Sequence, residues 1–143
     1  MKVTKLIIHH SLTKDGKVND WAAIRRYHVE VNKWKDIGYH YGIELVGDEY
    51  VIQKGRAEWR VGAHVLGMNS KSLGICVVGN YDLAEPPEAA LNLLANLCAR
   101  LCKKYKLKLA DIETHHKYAS YKTCPGTKFP MDKLRAKVRE LGV

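Results

Sequence analysis

Two histidine pairs and one cysteine stand where this sequence could hold a metal ion. His9-His10 end a short apolar run near the start, and Cys124 lies nine positions after His115 in the pair His115-His116. Two histidines and one cysteine supply three zinc ligands and leave the fourth tetrahedral position for water, whereas a structural site has four protein ligands. Zinc lowers the pKa of a water ligand and polarises a carbonyl, which suits hydrolysis of an amide.

The spacing alone leaves a second interpretation open. It matches neither the CxxC…HxxxH pattern of a zinc finger nor an HExxH motif on one helix. The histidines could instead be polar loop residues and Cys124 a packed thiol. Cys98 and Cys102 lie four apart in an apolar helical pattern and Cys76 lies in an apolar strand, so we predict that these three are core residues.

Alternating strands and helices are expected to position these residues. Apolar runs rich in β-branched residues, with turn residues between them, predict strands over 3–8, 43–46, 50–53, 73–78 and 107–112. Segments 54–72 and 114–117 are predicted loops, the first of them on the surface. The pattern indicates an α/β fold: a single domain with a central mixed β-sheet flanked by helices.

Three helices are predicted from capping residues and helical periodicity. The first begins at Asn19 or Asp20, runs to about Lys33 and is predicted to bury a face that includes Trp21, Tyr27 and Val31. The other predicted helices begin at Pro86-Pro87 and continue through 105, and cover 132–141.

Composition limits the class of protein and of partner. The chain has 143 residues, of which 46% are hydrophobic and 27% charged, which excludes a disordered, collagen-like or coiled-coil protein. No apolar run approaches the roughly 18 residues of a membrane span, so we expect no stable membrane insertion. The formal net charge of +9 favours polyanionic partners such as nucleic acid or an anionic cell wall. The basic residues are scattered and form no recognised nucleic-acid-binding motif, so we expect no specific nucleic acid partner.

Four motifs, in order, resemble one enzyme family. They are IIHHSLT, GYHYGIELVGD, VGAHVLGMNSKSLGICVVGNYD and HHKYASYKTCPG. Together they resemble the type 2 N-acetylmuramoyl-L-alanine amidases, with the greatest similarity to the small phage-lysozyme branch, which is related to peptidoglycan recognition proteins. The resemblance covers nearly the whole chain, from about Lys5 to the final helix. It implies a mixed sheet flanked by helices, with Zn²⁺ at the floor of a surface groove.

The resemblance implies zinc ligands at three positions. The first family ligand follows an apolar strand and stands two before a serine, which matches His9 and leaves His10 in a variable place. The late ligand follows a small residue, which favours His115. Cys124 matches the third ligand. Because the stretch from His115 to Cys124 is one residue longer than in the nearest phage-lysozyme pattern, His116 stays the alternative.

Four more residues match functional positions of the family. Tyr39 and Lys122 match catalytic residues, whose phenol hydroxyl and cation could stabilise an oxyanion or relay a proton to the departing amine. No acidic residue has a clear claim to be the general base. His64 and Asn69 match a segment that lines the substrate groove, so the resemblance implies that they bind substrate.

The implied activity is cleavage of the amide between N-acetylmuramic acid and L-alanine of the peptidoglycan stem peptide. A phage or prophage endolysin is the first hypothesis. A non-catalytic peptidoglycan-recognition module and a muropeptide-recycling amidase are the alternatives. We expect one amidase domain over 1–143 with no separate cell-wall-binding domain, acting as a monomer. The start MKVTKLIIHH does not read as a signal peptide, so we expect synthesis in the cytoplasm and release to the wall through a holin-like pore.

Overall fold

A five-stranded mixed sheet forms the centre of the protein, in a computed structural model that describes residues 1–12 and 20–143. Its strands are β1 (Lys5–His10), β2 (Tyr41–Val46), β3 (Glu49–Lys54), β4 (Ser72–Val77) and β5 (Ile112–Thr114). The spatial order is β3-β2-β4-β1-β5. β2 and β3 form an antiparallel hairpin, whereas the β2–β4, β4–β1 and β1–β5 pairs are parallel. The predicted α/β fold with a mixed sheet is therefore confirmed.

Helices cover both faces of this sheet. They are α1 (Trp21–Arg26), which continues as a π-helical turn (Tyr27–Val31), α2 (Glu88–Tyr105), α3 (His115–Tyr118) and α4 (Met131–Glu140), with a 3₁₀ turn at Leu109–Asp111. Asp20 caps α1, since its Oδ1 accepts a hydrogen bond of 2.8 Å from the backbone N–H of Ala23. Asn19, the alternative cap, lies outside the described residues. In the described ranges no helix has both the length and the apolar character needed to cross a membrane.

The two faces of the sheet have different cores. The larger core lies between the sheet and helices α2 and α4, and includes Leu6 and Ile8 of β1. The buried face of α2 carries Leu91, Leu94, Cys98, Leu101 and Cys102, which confirms Cys98 and Cys102 as core residues. On the other face, Trp21 and Ile37 pack around Cys76 in a smaller cluster. Because side chains alternate along a strand, β1 directs His9 toward this smaller cluster and His10 toward the α2 face.

Three local predictions were wrong or incomplete. The predicted strand over 107–112 is a 3₁₀ turn followed by the short strand β5. The Asp111 carboxylate stabilises this turn, because it accepts the backbone N–H of Lys108 and forms an ion pair with Lys5 at 2.7 Å. The predicted loop over 114–117 contains the one-turn helix α3, capped by Thr114. The π-helical turn shifts the helical phase after α1, so Trp21 is buried but the side chains of 27 and 31 are exposed.

The segment over 55–71 is irregular, as predicted, but it does not lie entirely on the surface. Its Glu58 carboxylate accepts hydrogen bonds from the hydroxyls of Tyr41 and Tyr105 and from Lys104 Nζ at 2.8 Å. These contacts tie the segment to β2 and to the end of α2. Burial by itself would raise the pKa of Glu58, but the three hydrogen bonds outweigh it and lower the pKa to about 2.

Replacement of Glu58 by glutamine should therefore destabilise the fold in a pH-dependent way. At pH 7 we expect the free energy of unfolding to fall by about 1 kcal/mol, because the charged acceptor is lost. A carboxylate with a lowered folded pKa stabilises the fold above its unfolded pKa and loses that effect as pH falls toward 2. Urea unfolding of both proteins from pH 7 to pH 3 should show the difference shrink, with exposed Glu85→Gln as the matched control.

Cys98→Ser should lower stability without changing function. Cys98 is fully buried on α2, so the hydroxyl would be desolvated among apolar neighbours at a cost of about 1 to 3 kcal/mol. Urea denaturation would measure this loss, with Asn96→Ser on the exposed face of α2 as the matched control. A stability equal to that of the unmodified protein would contradict the assignment of Cys98 to the core.

Candidate metal centre in a surface cleft

His9, His115 and Cys124 converge at one end of the sheet. One ligand atom from each lies within 4.8 Å of the other two. The Cys124 Sγ lies 3.6 Å from His9 Nδ1, and the imidazole rings of His9 and His115 are 4.7 Å apart between centroids. These are three residues that the sequence indicated as ligands.

Parallel pairing of the strands brings the two histidines together. Ile8 of β1 pairs with Thr114 of β5. The next residue after each of them, His9 and His115, therefore lies at the same height along the two parallel strands. Two hydrogen bonds hold Cys124 in place. Its backbone carbonyl accepts the backbone N–H of His116 in α3 at 2.9 Å, and its Sγ accepts the backbone N–H of His10 at 3.3 Å. The cluster therefore rests on the sheet and on α3.

The neighbouring histidine of each pair is engaged elsewhere. His10 lies on the opposite face of the sheet, where its Nδ1 accepts the backbone N–H of Tyr81 at 3.1 Å. His116 is exposed, and its Nδ1–H donates to the carbonyl of Lys122 at 2.6 Å. The geometry thus groups His9 and His115, and neither alternative, with Cys124.

Burial keeps the two clustered imidazoles neutral. Desolvation, followed by the nearby His64 and His115, lowers the pKa of His9 well below its ordinary value. Desolvation and Lys122 lower the pKa of His115 to about 4. Burial also raises the pKa of the Cys124 thiol to about 11, with the His10 N–H and Lys122 acting in the opposite direction. Metal binding would therefore find free imidazole lone pairs and release one proton from the thiol.

The cluster stands at the floor of a cleft of about 720 Å³. All seven residues implied as functional by the sequence line this cleft: His9, Tyr39, His64, Asn69, His115, Lys122 and Cys124. Two imidazole nitrogens and one thiolate match the ligand preference of zinc, and the three-ligand set found among residues 1–12 and 20–143 is typical of a catalytic rather than a structural site. The residues present therefore fit a catalytic zinc ion.

Tyr39 and Lys122 flank the cluster. The Tyr39 ring centroid lies 5.1 Å from that of His9. Burial, together with the thiols of Cys76 and Cys124, raises the pKa of Tyr39 well above its ordinary value, so its hydroxyl is a proton donor at neutral pH. Lys122 is exposed at the cleft, and its positive charge reaches the ligand cluster. Both side chains could donate hydrogen bonds beside the cluster.

His64 and Asn69 are engaged with the protein itself. His64 Nδ1 lies 2.9 Å from His9 Nε2. The Asn69 Oδ1 accepts the backbone N–H groups of His64 and Val65 at 2.8 and 2.9 Å. Contact of either residue with substrate stays a prediction. The hydrogen bond between His64 and His9 was not foreseen, because nothing in the sequence places residues 55 positions apart beside each other.

Sequence reasoning also missed aromatic and apolar residues of the cleft. Trp34 lines it, and Leu66 and Tyr121, which are 91% and 83% exposed, stand at its rim. The available signal was a large apolar side chain within a polar loop segment, next to residues of the predicted site.

Comparison with known proteins identifies the family. The model of the N-acetylmuramoyl-L-alanine amidase family matches residues 1–127. The endolysin of Klebsiella phage KP32 is 34% identical over 129 residues, which cover 87% of this chain and 81% of the endolysin. The human N-acetylmuramoyl-L-alanine amidase is 32% identical over 129 residues, covering 85% of this chain. This chain spans 22% of the length of that human protein.

Solved structures give the same result. The N-acetylmuramoyl-L-alanine amidase LysC from Clostridium intestinale URNW superposes with a TM-score of 0.84 at 28% identity, covering 96% of this chain and 86% of LysC. Peptidoglycan recognition protein LE, solved in complex with tracheal cytotoxin, superposes with a TM-score of 0.75 at 27% identity, covering 94% of this chain and 80% of that protein. By sequence and by fold, this chain belongs to the N-acetylmuramoyl-L-alanine amidase family.

Proposed function

We propose that this protein is a zinc-dependent peptidoglycan hydrolase that cleaves the amide between N-acetylmuramic acid and the L-alanine of the stem peptide. The observation that carries the proposal is the convergence of His9, His115 and Cys124 at the floor of an open cleft. Three ligands rather than four are typical of a catalytic site. Membership of the amidase family and the similarity to a phage endolysin support the same activity.

In this proposal the residues of the cleft have two roles in hydrolysis, metal binding and hydrogen-bond donation to the reacting amide. His9, His115 and Cys124 would hold the zinc ion, which when bound would supply a Lewis acid and lower the pKa of a water molecule. The Tyr39 hydroxyl and the Lys122 ammonium donate hydrogen bonds to the oxyanion that develops on the amide oxygen. Either group could also pass a proton to the departing amine of alanine. The products are a glycan that keeps its lactyl carboxylate and a peptide with a free N-terminal alanine.

The same comparisons support a proposal for the substrate and the setting. A relative of the same fold, peptidoglycan recognition protein LE, was solved with a monomeric diaminopimelic acid-type peptidoglycan. We propose that a muropeptide or peptidoglycan strand occupies the cleft here, and that the +9 charge draws the protein to the anionic wall. The endolysin relative favours a lytic role in a phage or prophage. We propose in addition that the protein acts as a monomer after release to the wall.

Cys124→Ser should abolish turnover and weaken zinc binding. A serine hydroxyl does not replace a thiolate as a zinc ligand, because it holds its proton far more tightly. Release of soluble peptidoglycan fragments and the zinc content after dialysis are the two measurements. Cys98→Ser is the matched control, since Cys98 lies in the core away from the cleft. Full activity of Cys124→Ser would rule out its assignment as a ligand.

Mass spectrometry of digested peptidoglycan should identify the bond that is cut. We expect intact stem peptides with a free N-terminal alanine, their loss when a zinc chelator is present, and their return when zinc is added back. Glycan fragments alone would show a glycosidase and contradict the proposal. Sedimentation of the protein with the wall, without any released product, would favour the recognition module.

A further inference from the structure

A hydrogen bond joins the ring of His9 to the ring of His64. His9 Nε2 and His64 Nδ1 lie 2.9 Å apart, and both side chains are buried. We infer that His64 is a positioning residue, which accepts the Nε2–H of His9 and so fixes the tautomer and the orientation of that ligand. This inference rests on the metal site of the proposed function.

The surrounding contacts set the direction of this bond. His9 Nδ1 lies 3.6 Å from Cys124 Sγ, so Nδ1 is the nitrogen that faces the other ligands and must keep its lone pair free. The proton of His9 then stands on Nε2 and is donated to His64 Nδ1. His64 in turn carries its proton on Nε2, 3.4 Å from the hydroxyl oxygen of Ser72. Ser72 Oγ donates to the carbonyl of Met68 at 2.7 Å, so every donor in the row meets an acceptor.

The protein is shaped to hold the His64 ring in this place. A Cβ on Gly74 of β4 would stand 2.5 Å from His64 Cγ, and one on Gly62 would stand 2.8 Å from His64 Cδ2. Real Cβ atoms do not approach that closely, so both positions need glycine for the ring to fit. The hydrogen bonds from the backbone N–H groups of His64 and Val65 to Asn69 Oδ1 fix the backbone that carries the ring. The ring is therefore confined between β4 and the loop that carries it.

The contacts of His64 favour a positioning role over direct contact with substrate. His64 is only 9% exposed, and both of its ring nitrogens face groups of the protein. A histidine that ligates a metal commonly donates its second N–H to an acceptor that sets the ring orientation, and loss of that acceptor costs about 10- to 100-fold in metal affinity or activity. Loss of His64 should accordingly weaken metal binding even when no substrate is present.

Substitutions at His64 test the inference through zinc affinity, measured without substrate by competition with a chromophoric chelator. We expect His64→Leu, which has no acceptor, to weaken zinc binding by about 10- to 100-fold. His64→Asn should retain most of the affinity, because its Oδ1 can stand near the position of Nδ1 and accept the bond. His64→Gln places its amide near Nε2 instead and should behave like His64→Leu. The absorption spectrum of the cobalt-substituted protein should change in parallel.

Asn96→Ser, on the exposed face of α2 and outside the lining of the cleft, is the control for a substitution away from the cluster. Thermal melts of the metal-free proteins check that each variant folds; if His64→Leu does not, the Asn and Gln pair provides the same comparison. Equal affinity of the unmodified protein and the folded variants would overturn the inference alone. Equal weakening in folded His64→Asn and His64→Gln would also overturn it. Failure of the unmodified protein to bind zinc would overturn the proposed function as well.

Discussion

The parallel alignment of β1 between β4 and β5 is the constraint on which the arrangement of the cleft depends. Parallel neighbours end at the same edge of a sheet, so His9 near the end of β1 and His115 just after β5 meet there although more than a hundred positions separate them. β1 is buried along most of its length, which leaves little freedom for a shift in register. A slip of one residue would exchange His9 for His10 at the cleft and remove the first proposed ligand.

Burial then gives the clustered residues their chemical state. Desolvation holds the imidazoles of His9 and His115 neutral and the phenol of Tyr39 protonated. The same environment opposes formation of the Cys124 thiolate until a cation compensates for its charge. A buried site whose side chains are all neutral is suited to a divalent metal ion, because the ion supplies the positive charge that the thiolate needs. Without a cation, the site disfavours a negative charge.

The irregular segment over 55–71 forms part of the wall of the cleft. Glu58 anchors the segment to α2 and β2, and Arg56 ties it inward by donating to the carbonyls of Ile37 and Val61 at 2.8 Å. The segment delivers His64 against His9 and also carries Asn69. A loop without regular secondary structure is thus held by side-chain hydrogen bonds that compensate for the missing backbone ladder.

The sequence by itself determined the types of residue available for chemistry, the order of most strands and helices, and the buried face of α2. These features depend on local periodicity and on capping or turn residues, which are visible in short windows of sequence. Asp20 as a cap and Cys98 as a core residue are examples that the structure confirms.

The tertiary structure groups His9 and His115 with Cys124, the pair that the resemblance favoured over His10 and His116, and only the tertiary structure shows that His64 meets His9. His9 and His10 are adjacent in sequence, but a strand sends them to opposite faces, and the choice of face depends on which helices cover the sheet. The 3₁₀ turn before β5 and the one-turn helix α3 were missed because Asp111 and Thr114 stabilise them through side-chain bonds that outweigh local propensity. Long-range pairing of strands, which no short window of sequence contains, brings the residues of the candidate site together.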